Sequence, residues 1–105
     1  MKVEIGNYQK NGKRKFDIKI HMHDLYSLFH TLSLIILPCL KKYEENEKGH
    51  PANMEYDEWK EILKRMINAF ELIAEDNLWD VDEKKRIICF EGLELIGKYF
   101  NNLWY

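Results

Sequence analysis

Cysteine is scarce in this 105-residue chain, with two residues and no CxxC pair. Cys39 and Cys89 lie far apart inside apolar helical patterns. That spacing excludes a disulfide framework and reads as two buried thiols in a reducing compartment. Thiols in apolar surroundings are poor nucleophiles. Long hydrophobic runs are also missing: "LSLIILPCL", residues 32–40, is too short to span a bilayer. The start of the chain has no apolar segment of the signal-peptide kind, so the expected location is the cytoplasm. There is no excess of positive charge. A net charge of −2 argues against a general nucleic-acid binder. GxGxxG and GxxxxGK[ST] do not occur, and no serine sits in a glycine elbow. Internal repeats and low-complexity tracts are lacking too. Nothing in the sequence demands an enzyme or implies a cofactor.

What the chain does have is apolar and unevenly charged. Its hydrophobic content is 46% and its aromatic content 13%. That is enough for one folded domain, residues 1–105, with a modest core. The aromatic fraction fits an aromatic core, and it also fits rings at a subunit interface or in a pocket. Residues 1–20 carry six basic and two acidic side chains, a local +4, while the remainder is −6. A basic arm on an acidic body suits a phosphate-bearing ligand or self-association between unlike patches; it is also what a solvated hairpin looks like.

The patterns predict an α+β, mainly helical fold: an N-terminal β-hairpin followed by three helices. The hairpin occupies residues 1–22. Asn11-Gly12 predicts a type I′ turn, which sets Val3 opposite Ile20, Ile5 opposite Ile18, Asn7 opposite Phe16 and Glu4 opposite Lys19. The apolar face Val3/Ile5/Phe16/Ile18/Ile20 must then pack on helices, because an isolated hairpin is marginal in water. Its edges are free to pair with another subunit.

The first helix is expected over 24–47, with Asp24 as N-cap, a kink or break at Pro38, and Gly49 as C′ residue. The second covers 56–75, with Trp59, Ile62, Leu63, Met66, Ala69, Phe70 and Ile73 facing inward and Glu61 pairing Arg65. The third covers 80–104, opened by Asp80 with Glu83 three residues on. Apolar residues wrap more than half of that last helix, so it must be covered on several sides. In so short a chain, that points to oligomerisation.

Two clusters invite a chemical reading. His21, His23, Asp24 and His30 contain metal-ligand types, but zinc needs three or four converging ligands. The spacing shows no such convergence, so the expected reading is two histidines at a strand-to-helix junction and no metal site. The second cluster is the polar stripe Tyr26, Ser27, His30, Thr31 and Ser33 at the entrance of the first helix. A helix N-terminus suits an anion, and aromatic rings could stack a base there. The alternative is that these hydroxyls serve the backbone and His30 bonds internally.

The stretch "DLYSLFHTLSLIILPCLKK" resembles a motif of small uncharacterised proteins of tailed bacteriophages. The matching positions are Asp24, Ser27, His30, Thr31, Leu32, Pro38, Leu40 and Lys41, with Tyr26 in a tryptophan position. Gly49 and Pro51 match a following Gly-x-Pro. Trp59, Leu63, Met66, Ile67, Ala69, Phe70 and Glu71 match a second block, and "GKYFNNLW" matches a third. The chain departs from the motif at Phe29, where the family carries an acidic residue, and His21 and His23 lie outside it. The resemblance implies a phage origin and action in the host cytoplasm. On that footing the leading expectation is a non-enzymatic homo-oligomeric sponge that sequesters a small nucleotide-derived immune signal. Tyr26, Ser27, His30 and Thr31 would line its pocket, Trp59, Tyr99 or Trp104 would stack, and Lys15 or Arg65 would neutralise phosphate. The alternatives are an interaction module that inhibits a host protein and, third, a metal-assisted phosphodiesterase.

Overall fold

A computed structural model describes residues 1–46, 49–75 and 82–104. Strands β1 (Lys2–Tyr8) and β2 (Arg14–Lys19) form an antiparallel hairpin. A 3₁₀ turn at Met22–Leu25 leads into α1 (Leu28–Asn46), followed by α2 (Tyr56–Glu75) and α3 (Glu83–Tyr99). A second 3₁₀ turn, Phe100–Asn102, follows α3. The fold is α+β and mainly helical, as expected.

The hairpin register differs from the expected one. Val3 faces Ile18, Ile5 faces Phe16 and Glu4 faces Asp17. A type I′ turn needs positive φ at both Asn11 and Gly12, but only Gly12 has it, at 79°. The loop is instead a three-residue one, with the Gly12 amide donating to the Gln9 carbonyl and the Gln9 amide to the Lys13 carbonyl. Asn11 spends its side chain on the turn: its Oδ1 accepts the Lys13 amide at 3.0 Å. A second irregularity, between Ile5 and Tyr8, sets Gly6 and Asn7 against the single residue Lys15. The net slip beside the apolar pairs is two residues. Because side chains alternate with period two, the apolar face keeps its membership.

That face does not pack on helices. Neither strand brings a Cα within 8 Å of a Cα in α1, α2 or α3. Ile5 is 55% exposed and Phe16 72%. The hairpin stands away from the bundle, and the molecule extends 48 × 42 × 20 Å. Its radius of gyration is 15.5 Å, against about 13 Å for a compact chain of this length.

Helix α2 is the spine. Its apolar residues Trp59, Leu63, Met66, Ala69, Phe70 and Ile73 are buried, joined by Leu40 from α1 and Cys89 from α3. The helix packs against both α1 and α3, but those two bring no Cα atoms within 8 Å of each other. Ion pairs Lys60–Glu44 (2.8 Å) and Lys41–Glu71 (3.4 Å) join α1 to α2. On α2's wet side Glu61 and Arg65 pair at 3.5 Å, as their spacing predicts.

The helix boundaries correct several expectations. Asp24 does not cap α1; it lies in the 3₁₀ turn, where its Oδ2 accepts the His21 amide at 2.8 Å. α1 continues unbroken through Pro38. The ring removes a bond to the Leu34 carbonyl, but Leu34 and Pro38 are both exposed, so water can satisfy that oxygen. Gly49 does not take the positive φ of a C′ residue; instead Asn46 Nδ2 donates to the Lys42 carbonyl at 2.8 Å in the last turn of α1. The cap of α3 is Asp82, which accepts the Lys85 amide at 2.9 Å. Asp80, the expected cap, falls outside the described residues.

Candidate functional site

The polar stripe at the start of α1 is engaged with the backbone. His30 Nε2 donates to the Ala74 carbonyl at 2.9 Å, tying the start of α1 to the end of α2. Thr31 Oγ1 donates to the Asp24 carbonyl at 3.0 Å, and Ser33 Oγ to that of Phe29 at 2.7 Å. The Ser27 carbonyl accepts the His30 and Thr31 amides. Tyr26, by contrast, is 80% exposed. Asp24 is buried beside this stripe. The His21 amide holds its carboxyl below the usual range; burial opposes that shift, and the Met1 ammonium at 3.1 Å and the nearby His23 ring reinforce it.

Tyr26, Ser27, His30 and Thr31 stay together at the entrance of α1, but the stacking and phosphate candidates do not gather around them. Trp59 is fully buried in the core, edge-on to Tyr99 with ring centroids 5.8 Å apart. Its Nε1 has no acceptor among the described residues. Trp104 is 74% exposed at the far end of α1, where Tyr43 Oη donates to its carbonyl at 3.0 Å. His30 and Tyr43 mark the two ends of α1, roughly 20 Å apart along the helix. Lys15 projects from the hairpin, remote from any helix. Arg65 pairs with Glu61 and shares a surface hollow with Glu91, Glu94 and Lys98, where the acidic side chains offset the positive charge. His21 and His23 stack on each other, centroids 5.5 Å apart. Among the described residues, no three His, Cys, Asp or Glu side chains form a group that could hold a metal, and no helix is long and apolar enough to cross a membrane.

Two other features emerge. The first is an apolar groove of about 290 Å³ between α1 and α3, lined by Ile35, Ile36, Cys39, Leu40, Ile96 and Phe100. One wall continues along α1 through Leu28 and Leu32; the other continues along α3 through Leu93 and Phe90. All four are exposed. Cys39 is exposed on the groove's rim, contrary to the expectation of two buried thiols, because none of the described residues fills the gap it faces. Cys89 is buried, with Sγ 3.8 Å from the Ala69 carbonyl. The second feature is a hollow of about 260 Å³ at the far end of the bundle, lined by Tyr43, His50, Pro51, Asn102 and Trp104 among others.

Of these residues, sequence reasoning singled out only Trp104 as a ligand contact. The groove did leave a signal. Leu28, Leu32, Ile35 and Cys39 recur at 4-3-4 spacing beside the core stripe, making the apolar arc of α1 wider than one helix contact needs.

Comparison with known proteins returned no match: no family model, no curated protein and no solved structure. The fold and surfaces therefore carry the functional reading. In that fold, ten of the positions on which the expected phage resemblance rests have structural work: Asp24, His30 and Thr31 fasten the entrance of α1, Lys41 pairs with Glu71, and Trp59, Leu63, Met66, Ala69 and Phe70 build the core.

Proposed function

We propose that this chain is a non-enzymatic interaction protein whose working form is a homo-oligomer. The observation that carries the reading is the extent of its exposed apolar surface. The hairpin face, the groove walls and the outer side of α3 all face solvent in one chain. The accessible surface is 8108 Å², against roughly 6,300 Å² for a compact monomer of this length. Surfaces of that kind mark protein contacts. The phage resemblance supplies a setting, the host cytoplasm, in which such a protein acts by occupying a host component. Tagged chain recovered from host lysate should then carry one host protein in stoichiometric amount, and Ile87→Lys, on the outer side of α3, should release it. Recovery of the chain alone would defeat this part of the reading.

A second reading, the nucleotide sponge, draws support from the aromatic hollow around Trp104 and His50. There a base could stack on rings that the fold leaves accessible. It predicts that a cyclic dinucleotide or an ADP-ribose derivative raises the melting temperature of the oligomer, and that Trp104→Ala abolishes the rise. A correctly folded oligomer indifferent to every such nucleotide rules it out.

A further inference from the structure

Among the described residues, the hairpin carries an apolar face that no helix covers, and the helices carry an apolar groove that no other element fills. We infer that these are two halves of one contact made between two copies of the chain. Val3, Ile5, Phe16, Ile18 and Ile20 of one copy seat in the α1–α3 groove of the other, and the exchange is reciprocal. The inference rests on the homo-oligomer reading above and gives it a geometry.

Four observations select a second copy as the occupant. First, the dimensions agree: the seven residues of β1 extend about 24 Å, and the α1 wall from Leu28 to Tyr43 runs about 22 Å. Second, the areas agree. The surplus of about 1,800 Å² per chain over a compact monomer puts a reciprocal pair in the range of obligate dimers, roughly 2,000–5,000 Å² in total. Third, the charges agree in sign. A +4 arm meets a −6 body, which favours encounter within the Debye length of about 8 Å. With the apolar face seated, the opposite face with Lys2, Glu4, Lys15, Asp17 and Lys19 stays in water. Fourth, a two-fold pair requires one chain to carry both members of each complementary contact, and this chain does.

The hairpin is also poorly built for the alternative of pairing edge to edge. A bulge at Gly6–Asn7 interrupts β1, and Arg14 Nε donates to the Gly6 carbonyl at 2.7 Å. Bulged, lysine-rich strands resist sheet extension, so contact through the face is favoured.

The test compares three proteins by light scattering from 1 to 100 µM. These are the wild-type chain, the hairpin variant Ile5→Lys/Phe16→Lys and the groove-wall variant Leu32→Lys. All three positions are exposed in the single chain, so the variants should keep wild-type helical circular dichroism. The wild type should have twice the chain mass, and each variant should dimerise at least 100-fold more weakly. Lysine cross-linking of a 1:1 mixture of isotopically heavy and light chains should join Lys13, Lys15 or Lys19 to Lys42 or Lys85 in mixed-isotope products. A wild type monomeric at 100 µM overturns both this inference and the homo-oligomer reading. A hairpin variant that remains fully dimeric, or hairpin-to-bundle cross-links formed only within one chain, overturns the inference and leaves that reading standing.

Discussion

Gly92 meets Ala69 where α3 crosses α2. A Cβ at position 92 would collide with the Ala69 Cβ and lie 3.1 Å from the Arg65 carbonyl oxygen. Gly92→Ala should therefore separate the helices. The clash should cost about 1–3 kcal/mol, offset by up to about 1 kcal/mol of helix propensity, and a lower urea midpoint with unchanged slope would show it. Asp24 provides a pH signature. Its folded pKa is lowered, chiefly by the His21 amide, so the native state holds the proton less tightly than the unfolded chain. The resulting stability is present above the ordinary carboxylate value of about 3.9 and is lost as pH falls through the lower folded value. Melting temperatures measured from pH 6 to pH 2.5 should fall more steeply for the wild type than for Asp24→Asn. Parallel curves would remove Asp24 from the acid response.

Each helix can be tested at the point where local preference and tertiary context disagree. Pro38 is a poor residue for a helix interior, yet α1 runs through it with the freed Leu34 carbonyl on the wet side. Pro38→Ala should restore that hydrogen bond and stabilise the protein by about 1–2 kcal/mol, less than the full helix-interior penalty of roughly 3 kcal/mol. The measurement is a denaturant midpoint. His30 joins two elements through a single hydrogen bond to Ala74. His30→Ala should cost about 1 kcal/mol and speed hydrogen exchange in the first turn of α1 while the middle of α2 stays protected.

The whole molecule is flat, with a small core and two apolar surfaces facing water. If those surfaces meet in a dimer, stability becomes tied to concentration. The melting temperature should rise steadily between 1 and 100 µM chain, and Ile5→Lys/Phe16→Lys should flatten that dependence. A melting temperature independent of concentration in the wild type would mean that the transition does not involve dissociation.

Much of the architecture was legible in the residues. Alternation marked the amphipathic hairpin, and 3/4 spacing placed α2 and its inward face from Trp59 to Ile73. These are local properties, set by backbone periodicity and by which side chains avoid water. The turn type was harder to read, because Asn11 could serve it either by positive φ or by its side-chain oxygen; that choice moves the register by one residue, and the bulge at Gly6–Asn7 adds the second. Which apolar surfaces would be covered could not be read from pattern at all. Val3, Ile5 and Phe16 have the spacing of buried residues, and so do Leu28 and Leu32. Only the tertiary arrangement, with α1 and α3 held apart on α2 and the hairpin standing clear, left them exposed. The candidate site followed the same division: residue types named Tyr26, His30 and Trp104, but placement at opposite ends of one helix was a matter of three-dimensional packing. Hydrophobicity states that a side chain should leave water; it does not state whether the surface that shelters it belongs to the same chain.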